Sequence, residues 1–304
     1  MSTAAVSIDF TVGSRRLLSV PRQLHTLLFA LEDILEGRTP PLPELRGETD
    51  GYRVLSVPLD RIDDLVAKFP DHLIGGRQDY RRFYIDMARG YEAYLARFSG
   101  KTRSTLRRKQ RKLAQACGSE YRISEHRTPA EIERFLKAAL PLSARTYQSR
   151  LLDAGLPDAP EARARLLEQA EQDQLRCFLL SHGEEPIAYL ALPIRGSTLV
   201  YAWLGYDPDW ARLSPGTVLQ MKALECLFGE ERYRWFDFTE GEGAHKEMFG
   251  TDHVNCASFV LLESTISNRL LLGARNGFDA AVSGAKVVAN RSGALAGARR
   301  LLKA

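Results

Sequence analysis

The sequence predicts a mixed α/β (α+β) fold, a mostly antiparallel sheet flanked by helices. Three observations predict it. Val6, Ile8, Phe10 and Val12 alternate with Ser7, Asp9 and Thr11, the period of a half-buried strand. Thr128-Pro129-Ala130-Glu131 opens a helix as a capping box, with Thr128 as N-cap and Glu131 three residues on. The apolar runs 176–181, 187–194 and 198–205 are separated by Gly183-Glu184 and Gly196-Ser197, the spacing of an antiparallel meander.

The other elements follow in order. Gly13-Ser14 turns the first strand into a second near 17–20. Pro21 opens a helix in which Leu24, Leu27, Leu28, Leu31, Ile34 and Leu35 repeat at helical spacing, closed by Gly37. Residues 52–57 read as a strand, 60–69 as a short helix and 82–87 as a strand. Residues 90–116 read as one or two helices, broken at Ser99-Gly100 and ended at Cys117-Gly118. A strand at 121–124 precedes the capping-box helix, whose buried face is Ile132, Phe135, Leu136 and Leu140. A loop with two prolines and a helix near 160–173 come next. After the meander the pattern gives a helix at 215–228, a strand at 233–238, a short helix at 243–249 and a last strand at 254–262.

The chain has 304 residues, 44% hydrophobic and 26% charged, with a net charge of +4. That composition excludes a mainly disordered or collagenous chain and allows a real core. The charge is uneven. Residues 101–112 carry +7 and residues 265–304 carry +6, which leaves −9 on the remainder. Cys117, Cys177, Cys226 and Cys256 have no metal-ligand spacing, so neither a zinc site nor a disulfide framework is expected. Cys177, Cys226 and Cys256 lie in apolar runs and read as small core residues. His25, His72, His126, His182 and His253 show no paired metal spacing. Trp203 and Trp235 read as core, and Trp210 as a loop residue over a cleft. There is no basic n-region with an apolar h-region and no run of about 18 apolar residues, so the expectation is a cytoplasmic chain.

Three segments carry chemistry. Ser214-Pro215-Gly216-Thr217 starts a helix after a strand. Ser214 suits the N-cap, Gly216 opens space for a ligand, and free N–H groups at a helix start attract an anion such as a diphosphate. A plainly capped helix is the competing reading. The segment 236–246 delivers Asp237, Glu240, Glu242, His245 and Lys246 from a strand end. Carboxylates and an imidazole there suit proton removal, and Lys246 suits a phosphate or an oxyanion. A polar loop before a capped helix is the alternative. At 144–150, Tyr147, Gln148 and Arg150 offer hydrogen-bonding ends for an acceptor pocket, against the alternative of a solvated helix end.

Together these features resemble the GNAT superfamily, in its CelD-like and FemAB-like branch. The likeness rests on SGKTRSTLRRKQRKL (99–113), YDPDWARLSPGTVLQMKALE (206–225) and RWFDFTEGEGAHKEMFG (234–250), in that order, and covers roughly residues 90–262. His245 stands where that branch usually has Tyr. The resemblance implies a mixed sheet with a splayed strand pair that holds acyl-CoA, or another thioester such as an acyl-carrier-protein conjugate. It places Ser214, Pro215, Gly216 and Thr217 at the diphosphate and Leu204 beside the pantetheine. Trp203 and Tyr206 then fall on the acceptor side with Tyr147, Gln148 and Arg150. The base comes from Asp237, Glu240 or His245, and Lys246 matches the family lysine. It also implies four regions: a reduced second GNAT-like half (1–90), basic linker helices (91–118), the acyltransferase domain (119–263) and a basic amphipathic tail (264–304).

The expected function is N-acyl transfer from a thioester to an amine by direct attack, with no metal. The amine belongs to a sphingoid-type long-chain base or an amino sugar of a surface polysaccharide. Residues 101–112 and 265–304 are the candidate contacts to an anionic inner-membrane surface. Two alternatives stay open: an aminoacyl-tRNA-dependent aminoacyltransferase or RNA-binding module, and a non-catalytic scaffold of a membrane polysaccharide synthesis complex.

Overall fold

The computed structural model describes residues 3–12, 15–42, 49–118, 121–146 and 155–291. The chain divides into two compact units, Met1–Tyr80 with Asn255–Ala304, and Arg81–Val254. The basic segment 101–112 falls in the second unit.

In the first unit, β1 (Thr3–Val12) pairs antiparallel with β2 (Arg15–Leu28), and β2 pairs in parallel with β3 (Gly51–Pro58). The alternation read at 6–12 therefore marks a strand. The helix expected from Pro21 is a correction: the chain stays extended through Leu28, and only Leu31–Leu35 forms helix α1. Leu24 and Leu27 are spaced for one helix face, but both are fully buried within a strand that has ladders on both edges. Those two ladders outweigh the helical spacing. Gly37, at φ +74°, ends α1 as expected. Helix α2 (Ile62–Val66) follows a short 3₁₀ turn.

The second unit is a sheet covered on both faces. Its strands are the end of β4 (His72–Asp86), then β5 (Tyr121–His126), β6 (Leu175–His182), β7 (Glu185–Arg195), β8 (Thr198–Val200), β9 (Trp203–Tyr206) and β10 (Trp235–Asp237). Their order is β4-β10-β8-β7-β6-β5, antiparallel except for β10 with β8, and β9 pairs with β7. Strand parity sorts the apolar runs. Phe178, Leu180, Leu190 and Leu192 face one core; Cys177, Leu179, Tyr189 and Ala191 face the other. The first core is closed by α3 (Gly90–Ala96), α4 (Gly100–Cys117) and α7 (Pro215–Gly229), the second by α5 (Pro129–Arg145) and α6 (Pro160–Glu171). Burial on both faces explains why these strands read as continuous apolar runs. Each fully buried Leu or Phe contributes about 1.5–3 kcal/mol.

Local signals hold here. Ser99 accepts the Thr102 N–H and starts α4, and Gly118 (φ +59°) follows its end. The capping box forms, with Glu131 accepting the Thr128 N–H at 3.0 Å. Helix α5 runs through Pro141 to Arg145. Pro141 faces out, whereas Leu142 and Ser143 are buried. The Ser143 hydroxyl accepts the Leu156 N–H (2.8 Å) and the Tyr189 O–H (2.9 Å). Two further corrections concern the meander and a thiol. The third run is two strands, broken at Tyr201-Ala202. Cys226 is exposed, while Cys117, Cys177 and Cys256 are buried.

Beyond the second unit, β11 (Asp252–Glu263) leads to helix α9 (Ile266–Arg291). Leu272 of α9 is buried with Ile8, Leu24 and Leu262, and Asn268 accepts from Arg22 at 2.9 Å. Ile266 and Leu270, a turn apart, are 80% and 70% exposed. Residues 292–304, which include Arg299, Arg300 and Lys303, lie outside the described residues. No helix among the described residues is long and apolar enough to cross a membrane.

Candidate active site

β8 and β10 run side by side for three residues, Thr198 opposite Trp235 through Val200 opposite Asp237. The Tyr201 N–H closes this ladder on the Asp237 carbonyl at 2.9 Å. Beyond that point the strands part. β9 stays with β7, while the chain after Asp237 leaves through Thr239, at φ +61°. No ladder joins β9 to the chain after Asp237 among the described residues, so an opening lies between them.

Helix α7 forms one flank. Ser214 stands at its N-cap position in a left-handed conformation (φ 55°, ψ 49°) and makes no side-chain cap. This corrects the expectation of a serine-capped start. Pro215 has no N–H, and Val218 is the first amide bonded back, to the Ser214 carbonyl at 3.2 Å. The Gly216 and Thr217 amides remain as the first-turn donors, at the positive end of the helix. Gly216 lies against β9. A Cβ there would stand 3.0 Å from the Leu204 Cδ2 and 3.2 Å from the Tyr206 Cδ1. Leu204 and Tyr206 share a face by strand parity, so these three expected residues meet. Trp203 points to the other face and packs with the α5 and α6 core.

Helix α8 (Ala244–Phe249) forms the other flank. Its end is tied down by Tyr94, whose hydroxyl donates to the Phe249 carbonyl at 3.1 Å, and by Arg97, which donates to the Met248, Phe249 and Gly250 carbonyls. Phe249 is fully buried. This anchoring sets His245 and Lys246. The His245 ring lies 4.7 Å from the Phe249 ring, 6.3 Å from Tyr201 and 6.4 Å from Phe238. Its Nε2–H donates to the Gln220 Oε1 of α7 at 2.6 Å. Burial, reinforced by the Lys109 and Lys246 charges, pushes its pKa down to about 4, so the ring is neutral at pH 7. Lys246 donates to the Glu240 carbonyl, and burial lowers its pKa from the usual lysine value.

The carboxylates behave differently from one another. Asp237 is 2% exposed and bonds Arg82 through both oxygens, at 3.0 and 2.5 Å. It also accepts the Thr239 N–H at 2.8 Å. These bonds hold the turn at which the chain leaves the sheet. Glu242 accepts the Arg81 N–H at 2.9 Å, which holds its carboxyl below the usual range. Glu240 is half-buried, and its backbone carbonyl is the group that meets Lys246.

Residues 100–247 match the family model of the acetyltransferase (GNAT) domain. Over that stretch, just under half of the chain, the protein is similar to the acetyltransferase (GNAT) domain. Two solved structures share the fold. FemX is 10% identical, over 88% of this chain and 90% of that one, with a TM-score of 0.52. The C-terminal domain of a protein named as a lysylphosphatidylglycerol synthetase, from Agrobacterium fabrum, is 11% identical over 75% and 72%, with a TM-score of 0.50. At such identity the likeness is one of fold alone. No curated protein matches the chain.

Of the expected site residues, Leu204, Tyr206 and Gly216 come together on one flank, and His245, Lys246 and Glu240 on the other. Tyr147, Gln148 and Arg150 lie outside the described residues. Sequence reasoning passed over Arg82, Tyr201 and Gln220, and took Lys109 only as part of the basic segment 101–112. Gln220 had a signal: it is the amide in the apolar run Val218-Leu219-Gln220-Met221. Arg82 had none, because its partner is 155 residues away. Among the described residues no group of three His, Cys, Asp or Glu side chains can hold a metal.

Proposed function

We propose that this protein is a GNAT-type enzyme that transfers an acyl group from a thioester donor to an amine by direct attack, in the opening between β9 and the end of β10. The single observation that carries the reading is the opening's asymmetry. Uncapped first-turn amides of α7 flank one side, and a neutral, half-buried imidazole flanks the other. The donor fits the first flank: the Gly216 and Thr217 amides face a diphosphate, and the missing Cβ of Gly216 lets Leu204 and Tyr206 pack close against the helix start. On the second flank His245 is the proton acceptor. The attacking nitrogen, once bonded to the acyl carbon, is far more acidic than a free ammonium. An imidazole with a conjugate-acid pKa near 4 is unprotonated and ready to take that proton at neutral pH. Lys246 places a cation near the oxygen that gains charge, and collapse of the tetrahedral intermediate breaks the carbon–sulfur bond and releases the donor as a thiolate. Asp237 acts through Arg82, by holding the turn that delivers both groups.

For the acceptor, we read the amine of a long-chain base or an amino sugar presented at a membrane. Exposed Ile266 and Leu270 beside Arg269 on α9 support a surface contact of that kind. A thiol-release assay with acyl-CoA donors across candidate amines tests the reading. Release that depends on both donor and amine, and is lost in His245→Gln and Lys246→Ala, is expected. Absence of CoA-thioester binding at any acyl length sinks it.

A second reading is aminoacyl transfer from a tRNA donor. It is favoured by the seven cations at 101–112, none of which is ion-paired among the described residues. It requires tRNA binding that weakens steeply with salt, and binding no better than to a generic polyanion rejects it.

A further inference from the structure

We propose that Gln220 is a positioning residue whose side-chain carbonyl fixes His245 in the tautomer that leaves Nδ1 bare. This rests on the reading of His245 as the proton acceptor. Gln220 is fully buried, on a helix whose other inward residues include Val218, Leu219, Ala223, Leu224 and Leu227. A primary amide offers two donors and two lone pairs. Gln220 makes a single hydrogen bond, to the His245 Nε2–H at 2.6 Å, and its own Nε2 is buried without a partner. A leucine at this position would fill similar space without the orphaned Nε2, but it would leave the His245 Nε2–H without its partner. What the amide gains is the contact with His245.

That contact has a specific consequence. Phe249, Tyr201 and Phe238 surround the imidazole and fix its plane, but rings cannot select which nitrogen carries the proton. The charged groups that face it are Lys109 from α4 and Lys246 from its own helix; both disfavour the imidazolium. Tyr201, from the β8–β9 link, is held protonated by burial. The neutral ring is therefore the form present, and its tautomer is set by its hydrogen-bond partner on α7. With the Gln220 carbonyl accepting from Nε2–H, Nδ1 holds the free lone pair, and no residue among those described bonds it. A proton taken from the amine goes to Nδ1, while Nε2–H stays bonded to Gln220 throughout.

The test is long-range ¹⁵N–¹H spectroscopy of the full chain labelled at histidine, with His245 assigned from the signal lost in His245→Gln. The wild type should show Nε2 protonated and Nδ1 bare at pH 7. Gln220→Leu should fold, with a Tm lowered modestly by the lost hydrogen bond, and populate both tautomers. Its kcat should fall about 10- to 100-fold with the donor KM unchanged. Gln220→Glu should raise the His245 proton affinity and move the acid limb of kcat upward in pH. A wild-type ring protonated on Nδ1, as a reversed amide would impose, overturns the proposal. So does a Gln220→Leu ring that keeps the wild-type tautomer. Should Gln220→Leu fail to fold, the wild-type spectrum and Gln220→Met decide. A tautomer shift without thioester turnover by any wild-type preparation upholds the positioning and removes the acyl-transfer reading instead.

Discussion

Two polar centres lie in the second unit, and they are built on opposite terms. At one, Arg176 is 1% exposed and its charge is fully met: Asp173 at 2.6 Å, Glu230 at 2.9 Å, and the Tyr233 ring 6.0 Å away. Burial works against the guanidinium, but the hydrogen bonds to Glu230 and Asp173 outweigh it and raise its pKa. Tyr233 and Arg127 complete the shell around Glu230 at 2.9 and 3.1 Å. At the other centre, among the described residues, Gln220 has an orphaned nitrogen, Lys246 bonds one backbone carbonyl, and the His245 Nδ1 has no bond. Saturated pairing yields groups locked in one charge state, which serve the fold. Partial pairing yields groups whose proton can move, which serve chemistry.

That contrast can be broken at either end. The largest effect is expected at the saturated centre. Arg176→Ala leaves Glu230 buried beside a lost partner and should lower unfolding free energy by about 3–5 kcal/mol. Denaturant melts should show this loss, while turnover per folded molecule stays near wild type. The next effect is a pH dependence. His245 is near 4 when folded and near 6.5 when unfolded, so the unfolded chain binds the extra proton between those values. Its contribution is complete above pH 6.5 and lost as the pH falls to 4, by about 3 kcal/mol. Melts of His245→Gln should lack that slope, and wild-type melts that are flat across this window would contradict it.

Smaller effects sharpen the contrast within the site. Lys246→Ala should cut kcat about 100-fold, close to 2.7 kcal/mol of barrier, without lowering the melting temperature. Gly216→Ala improves the intrinsic helix propensity of α7 by about 1 kcal/mol. It should nonetheless raise the donor KM about tenfold, because its Cβ crowds Leu204 and Tyr206 beside the proposed diphosphate contact. Calorimetry and initial rates on the same preparation separate the two.

Much of the fold was legible because its signals are local. The capping box at Thr128, the serine start of α4 and the glycine turns of the meander each depend on residues within a few positions. The signature around 234–250 was legible as a pattern of types, which located His245 and Lys246. Their partners were not. Leu24 and Leu27 fit a helix as well as a strand, and the ladders to β1 and β3 decided between them. Ser214 has the ideal N-cap side chain, yet its left-handed backbone turns that side chain away from the helix.

The sequence by itself determined the likeness to the GNAT domain, most elements of the second unit and the uneven charge, and it singled out the segments at 214–217 and 236–246. These follow from side-chain type and spacing along one chain. Tertiary structure alone decided which strand pair parts, which carboxylate is consumed by Arg82, and which amide meets His245. Each of those depends on groups brought together from distant positions, 155 residues apart for Arg82 with Asp237 and 25 for Gln220 with His245. Burial then sets their charge and tautomer, because the penalty for an unpaired charge exists only once the chain has closed around it.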